Sequence, residues 1–321
     1  MQEKPKRRKH IAGIVGLDIG GTKTAVVVGT YDGKILHRLS FPTAARKGFE
    51  SSFDRTCTNA RRALAWAGKK RIQIKAISVS IGGPLDIEKG IIYSPPNLPD
   101  WNEIHLKETL QRELYLPAFI EHDGNAGALA EYFFGAGKGY RNIVFLTLGT
   151  GLGAGIIVDG RIYHGTNDNA GEVGHMRIAR TGPEAYGKKG SWEGCCSGTG
   201  MAKLARAMKP RRWNADVTAQ DIAAAAKRGD RDALDVINKS AKFLGQGLAI
   251  LADVLNPEVI ILGSLGVRLG DLLIKPAREE MEREATARAF AVCRVVPAAL
   301  GEHIGDVAAL MAAVYHRRSH G

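Results

Sequence analysis

Leu17-Asp18-Ile19-Gly20-Gly21-Thr22 closes the first apolar run of the chain, and Leu146-Thr147-Leu148-Gly149-Thr150-Gly151 closes another one 129 residues later. Each hexad ends a strand-like segment and leads straight into the next. Around the first, residues 11–17, 24–29 and 34–40 read as three successive strands. The last two are joined by Tyr31-Asp32-Gly33, and Asp-Gly is a strong hairpin signal. The second hexad is followed by its own apolar strand and its own turn, Asp159-Gly160. A single glycine turn after a strand is weak evidence. Two in register predict two related α/β halves, each presenting a glycine turn to a shared ligand. Glycine lets the backbone approach a phosphate closely, and adjacent amides can form an anion nest.

The rest of the chain fits around these turns. Residues 53–66 read as a helix, 72–80 as a buried strand, and the Gly/Pro-rich stretch 82–99 as loop. A helix over 103–114, a short strand over 118–121 and a helix over 125–134 follow. The second half is more helical: 201–208, 218–227 and a long stretch over 230–256, which Asn256-Pro257 stops. Residues 259–262 form a buried strand ending in Gly263. An amphipathic helix over 277–289, a strand over 292–296 and a last helix over 306–316 complete the pattern. A length of 321 residues suits two domains.

Composition narrows the class. Hydrophobic residues make up 45% and charged residues 24%, as in folded soluble proteins. The most apolar stretch, residues 143–158, is broken by Gly149, Thr150, Gly151, Gly153 and Gly155, so no membrane span is expected. Four cysteines (Cys57, Cys195, Cys196, Cys293) with no Cys-x-x-Cys pair are too few for a secreted disulfide framework and point to a reducing compartment. The basic start imitates a signal peptide, but its apolar stretch reaches only Leu17 and no small-residue cleavage site follows. A cytoplasmic location is expected. Lys+Arg 45 against Asp+Glu 33 gives +12. Half of that excess sits at the ends, in Lys4, Lys6, Arg7, Arg8 and Lys9 against Glu3, and in Arg317 and Arg318. Such ends read first as solvated tails, and otherwise as attraction to a polyanion.

Asp18 follows a strand beside the glycines, a suitable place to hold Mg²⁺ through water, and Thr22 and Lys23 can donate to phosphate. Here the chain resembles a known family. Gly16-Leu17-Asp18-Ile19-Gly20-Gly21-Thr22-Lys23-Thr24 is similar to the first phosphate motif of the ROK family (repressors, ORFs and kinases), and Thr147-Leu148-Gly149-Thr150-Gly151-Leu152-Gly153-Ala154-Gly155 to its second. The resemblance runs over residues 14–314. It implies a two-domain α/β fold of the sugar kinase/hsp70/actin-like (ribonuclease H-like) type with an interdomain active-site cleft. The smaller domain would be 1–122 with 304–321 and the larger 123–303. ATP and Mg²⁺ are the implied cofactors, with Asp18 the candidate metal ligand. Asp18, Gly20, Gly21, Thr22, Lys23, Thr147, Gly149, Thr150 and Gly151 would serve the nucleotide. Ile261-Leu262-Gly263-Ser264-Leu265-Gly266 resembles the adenosine segment, with Gly263 the candidate contact, although Gly-Gly-Gly is the family's usual form. The implied partners are ATP, a small-molecule sugar and a second copy of the chain, with no nucleic acid and no membrane.

Glu121-His122-Asp123-Gly124-Asn125-Ala126 resembles the family motif Glu-Asn-Asp-Ala-Asn-Ala, whose Asp is the general base, and this role carries to Asp123. A sugar hydroxyl is a poor nucleophile, and a carboxylate within hydrogen-bond reach can take its proton as phosphoryl transfer proceeds. Gly171-Glu172-Val173-Gly174-His175 matches a second motif. Glu172 and His175 are three residues apart and share a face on a helical turn, so both can meet sugar hydroxyls. Glu193, Asn97 in Pro96-Asn97-Leu98-Pro99, and Gly83 in Ile81-Gly82-Gly83-Pro84 resemble further sugar-pocket positions.

Two departures stand out. The family pattern Cys-x-Cys-Gly-x-x-Gly-Cys-x-Glu binds structural zinc together with the motif His. Here Glu184, Tyr186 and Ser191 occupy the three thiolate positions, and His with a distant Glu is a poor donor set. No structural zinc is expected, and the loop would rest on packing and on hydrogen bonds from Tyr186 or Glu184 to His175. The second departure is His122 at the Asn position. Asn offers a donor and an acceptor close together, whereas neutral His offers them further apart on a rigid ring, which opens the choice of sugar.

The leading expectation is a glucokinase-like enzyme that transfers phosphoryl from MgATP to a hexose, most simply at the 6-hydroxyl. The alternatives are a non-catalytic sugar-binding protein, a kinase using polyphosphate, and one acting on an N-acetylhexosamine. A sugar-responsive repressor would need a DNA-binding domain ahead of the first strand, where about ten residues stand.

Overall fold

The computed structural model describes residues 11–320; the basic residues 4–9 read above as a solvated tail lie outside them. Two compact units emerge, one running to Ala126 and taking back the chain from Gly305, the other Gly127–Ile304.

In the first unit, β1 (Ile11–Ile19), β2 (Lys23–Thr30) and β3 (Ile35–Pro42) make an antiparallel meander. β1 and β2 are buried in nearly continuous runs, as strands covered on both faces must be. One face packs on α1 (Gly48–Lys69). The other meets the C-terminal segment, where Gly16 and Gly29 make room for Ala309 and Leu310. β4 (Ile72–Ile81) runs parallel to β1. A small antiparallel sheet of β5 (Leu85–Asp86), β6 (Ile91–Tyr93) and β7 (Asn102–His105) follows, then α2 (Leu106–Leu114) and β8 (Ala118–His122). The main sheet has the order β3-β2-β1-β4-β8.

The small sheet corrects two expectations. Residues 82–99 hold two strands, and the helix expected from residue 103 begins at Leu106, because Asn102–His105 pairs with β6. Strands of two to four residues have too little alternation to be read from sequence.

The second unit repeats the plan. α3 (Asp123–Phe134) spans the boundary at Ala126. β9 (Ile143–Leu148), β10 (Leu152–Val158) and β11 (Arg161–Ile162) form the meander. A hairpin of β12 (Glu184–Ala185) and β13 (Lys188–Lys189) follows. Next come α4 (Trp192–Cys196), α5 (Gly198–Met208), α6 (Ala219–Lys227) and α7 (Arg231–Leu255). Last are β14 (Val259–Leu262), α8 (Leu265–Leu269), α9 (Asp271–Glu284), α10 (Ala287–Val292) and β15 (Arg294–Pro297). The sheet order is β11-β10-β9-β14-β15, with β14 and β15 parallel to β9. The correspondence between the two hexads therefore falls on the same junction, β1–β2 and β9–β10, of two sheets of like order and direction.

The helix expected over 277–289 is two. α9 starts earlier and tolerates Pro276. The break at Thr286 is held by the Asp253 carboxylate, which accepts from the Thr286 N–H and hydroxyl at 3.0 Å each. The strand expected over 292–296 is shifted to Arg294–Pro297. The last helix is also divided, into Ile304–Ala308 and Met311–His320. Glu131, fully buried, accepts from the N–H groups of Ala136, Ala299 and Leu300, which satisfies a carboxylate that would otherwise be costly to bury.

α4 sits under α7 at one tight point. A Cβ on Gly247 would overlap the ring of Trp192, which is fully buried. Gly247→Ala is expected to destabilise the second unit by about 2–3 kcal/mol through overpacking, seen as a Tm several degrees lower. An unchanged Tm would show that Trp192 has room to move.

Candidate active site

The first glycine turn is tied down by one threonine. Gly20 donates its N–H to the Lys23 carbonyl at 3.1 Å. Thr43 donates its hydroxyl to the Gly20 carbonyl at 2.6 Å and its N–H to the Thr22 carbonyl at 3.0 Å. Sequence reasoning passed over Thr43, which lies in a loop with no motif. Thr22 and Lys23 point outward and are exposed. Gly21 packs on Asn97 so closely that a Cβ would overlap the Asn97 carbonyl. Two residues expected to serve different substrates are thus neighbours. Gly21→Ala must displace the turn or the loop, and a shift of about 1 Å at a reacting centre can lower kcat/KM on the order of a hundredfold. Steady-state kinetics with the melting temperature unchanged would check it; a value within threefold of wild type would show that the turn tolerates the shift.

Asp18, at the end of β1, is partly buried, and its carboxyl is pushed up to about 7. Burial is the main cause, then the charges of Asp123 and Asp306, with Arg38 and Lys23 opposing. Asp306 is held by Arg38, whose Nε lies 2.8 and 2.9 Å from its two oxygens. A Cβ on Gly305 would stand 3.1 Å from Asp18 Oδ2. Asp18, with the Asp123 and Asp306 charges acting on it, offers the negative charge and carboxylate oxygen that a hard cation such as Mg²⁺ takes, with water to complete its shell.

Asp123 opens α3 directly after β8, with its side chain 55% exposed. His122 beside it is only 15% exposed and its Nδ1 is 3.5 Å from Asp123 Oδ1. The same Nδ1 accepts the Gly124 N–H at 3.3 Å, which assigns the neutral ring's proton to Nε2. The ring packs on Gly83, where a Cβ would be 3.0 Å from Cδ2. Gly83, His122 and Asp123 therefore form one cluster, and the ring's acceptor nitrogen is taken by the Gly124 N–H.

In the second unit, Ala154 of β10 donates to the Gly171 carbonyl at 2.8 Å, which lays the Gly171–His175 segment against the strand. Val173–His175 is a 3₁₀ turn with Glu172 at its start. Glu172 Oε2 and His175 Nε2 are 3.9 Å apart and both side chains are about half exposed, as their spacing predicts. The second glycine turn is fixed by Gly198 donating to the Gly149 carbonyl at 2.7 Å and by Thr147 Oγ1 accepting from Gly153 at 3.1 Å. Glu193 in α4 accepts the Leu152 N–H at 2.9 Å, and a Cβ on Gly151 would come within 2.7 Å of its carboxylate. Glu193 also lies beside the 3₁₀ turn, where a Cβ on Gly174 would stand 3.3 Å from its Cβ.

Beside this turn lies a cavity of about 540 Å³ lined by Thr150, Thr199, Arg206, Gln220, Ser264 and Arg268, among others. Two helix N-termini, capped by Ser197 and Thr218, open toward it. Gly263 itself serves packing, since a Cβ there would be 2.9 Å from the Phe145 ring. Its neighbour Ser264, in the cavity wall, has φ 43, a conformation natural to glycine. The Arg and Gln side chains were not foreseen, because they come from helices without motifs.

The zinc pattern's positions do not fit the metal. Ser191 Oγ is buried and caps α4 by accepting from Gly194 at 3.2 Å. Tyr186 stacks on His175. Burial pushes the Cys195 thiol up to about 11 and Cys196 well above its ordinary value, so neither is a ready thiolate. Among the described residues no group of three or more His, Cys, Asp or Glu is arranged to hold a metal ion.

Comparison with known proteins completes the picture. The ROK family model matches residues 14–315. A glucokinase of Halalkalibacterium halodurans is 33% identical over 305 residues, covering 91% of this chain and 92% of that protein. The structure of a ROK family glucokinase from Streptomyces griseus in complex with glucose and AMPPNP aligns with a TM-score of 0.79 at 31% identity, over 94% of this chain and 98% of that one. A ROK hexokinase from Thermus thermophilus aligns with a TM-score of 0.81 at 29% identity, over 96% and 100%. The fold is the two-domain, actin-like α/β fold of these kinases. The chain belongs to the ROK family and is a sugar kinase of that family.

Proposed function

We propose that the protein transfers the γ-phosphoryl group of ATP to a hexose of the glucose type, at the 6-hydroxyl, with Asp123 as general base. The observation that carries this reading is the Asp123 carboxylate, held at a strand end and more than half exposed, in a chain one third identical to a glucokinase. The 6-hydroxyl proton passes to Asp123, the new O–P bond forms, the bond from Pγ to the bridging oxygen breaks, and ADP leaves. Gly83, Asn97, His122, Glu172, His175 and Glu193 would bind the sugar. The adenosine is assigned to the cavity beside Thr150, whose volume suits a nucleoside. Asp18, Gly20, Gly21, Thr22 and Lys23, with Thr147, Gly149, Thr150 and Gly151, would serve the phosphates. Mg²⁺, held by Asp18, would neutralise phosphate charge.

A coupled ADP-release assay over glucose, mannose, fructose and the N-acetylhexosamines tests the proposal, with polyphosphate as a second donor. Turnover of glucose with ATP is the expected result. Turnover only of an N-acetylhexosamine, or only with polyphosphate, would replace the substrate or the donor. A folded protein silent with every pair would overturn the reading.

A further inference from the structure

Two of the three side chains of the second unit assigned to the sugar in the proposal above, His175 and Glu193, are joined by another that is not. Tyr186 stacks on the His175 imidazole, with ring centroids 3.5 Å apart and planes 21° from parallel. Its phenol donates to Glu193 Oε2 at 2.6 Å, the same oxygen that accepts from Leu152. We propose that Tyr186 is a positioning residue that does here, without metal, what a structural zinc does in the family's cysteine-bearing pattern: it locks the His175 ring and the Glu193 carboxylate into one sugar-binding constellation. This inference rests on the assignment of those two residues to the sugar.

The backbone argues independently that this tyrosine is placed for its side chain. Tyr186 and Gly187 are the two turn residues of the β12–β13 hairpin, with φ 55 and 68. Two positive φ values mark a type I′ turn, which favours Asn, Asp or Gly at the first position. A bulky aromatic residue there is an outlier, and such outliers persist where other contacts over-determine them. The contacts here are the stack and the phenol bond. The phenol's ordinary proton loss is pushed well upward, chiefly by burial and then by Glu193 itself, so the donor persists across the working range. Ser191 completes the exchange: at the third thiolate position it caps α4, the helix that carries Glu193.

Two variants separate the parts. Tyr186→Phe keeps the stack and removes the donor. Tyr186→Asn removes both while suiting the turn, so it is not expected to lower the melting temperature. Loss of one hydrogen bond to a charged group predicts a glucose KM about tenfold higher in the Phe variant and higher again in the Asn variant. KM for ATP is expected to stay within twofold. The purified protein should carry far less than one zinc per chain by mass spectrometry, and a zinc-selective chelator in excess Mg²⁺ should leave its rate unchanged. A glucose KM unmoved in both variants, or stoichiometric zinc whose removal abolishes turnover, would overturn the clamp while leaving the kinase reading intact. Should wild type phosphorylate no hexose, the kinase reading fails, and the clamp is judged by NMR. The His175 ring protons should be shifted upfield by the stacked phenol in wild type and return in Tyr186→Asn; identical resonances in the two would overturn it.

Discussion

Asp123→Asn is expected to lower kcat for hexose phosphorylation roughly a thousandfold, within the range for loss of a general base, with sugar KM changed by no more than a few-fold. Asn has the shape of Asp and can still hydrogen-bond a sugar hydroxyl, but it cannot take the proton. The side chain is more than half exposed, so the exchange should leave the fold alone. The change should also relieve Asp18, whose carboxyl the Asp123 charge helps to push up. Single-turnover kinetics with saturating glucose and ATP separates the chemical step from product release. A loss below tenfold would remove Asp123 from the chemistry and point to a loose transition state in which the hydroxyl proton leaves late.

What could be read from sequence follows the physics of each feature. The two sheets were legible because their strands are long and their turns duplicated; the hexads at Leu17 and Leu146 fell on equivalent junctions. The strands of residues 85–105 were not legible, because two to four residues carry no period. The division at Thr286 was hidden because it depends on Asp253, 33 residues away in sequence. At the site, motif residues were readable where spacing alone brings them together, as with Glu172 and His175. Thr43, Arg206, Gln220 and Arg268 were invisible because only the fold brings them to the turns. Tyr186 shows the intermediate case: the missing cysteines announced a substitution in the loop. The expectation was packing together with a hydrogen bond from Tyr186 or Glu184 to His175; the structure has the packing, as a stack of Tyr186 on His175, and sends the Tyr186 hydrogen bond to Glu193 instead.

Asp18→Asn is expected to abolish most activity and, unusually for a loss of function, to stabilise the protein. Burial and the neighbouring carboxylates push the Asp18 carboxyl from its ordinary 3.8 up to about 7. Between these values the folded state binds the proton more tightly than the unfolded state. Stability from this group is therefore full below about pH 4, falls as pH rises, and is lost above pH 7. The penalty in the fully ionised state is on the order of 4 kcal/mol as an upper bound, and Asn does not incur it. Melting temperatures of wild type and variant, taken without divalent cations, should lie closest below about pH 4 and separate from there through pH 7, with the variant several degrees higher at pH 8. Mg²⁺ should close that gap by stabilising wild type, since a ligand bound only by the folded state adds to its stability, and should leave the variant unmoved. A variant less stable than wild type at pH 8, or a difference that does not change with pH, would mean that Asp18 is satisfied by its surroundings rather than held in readiness for a cation. The two measurements together distinguish a residue kept for the reaction from one kept for the fold.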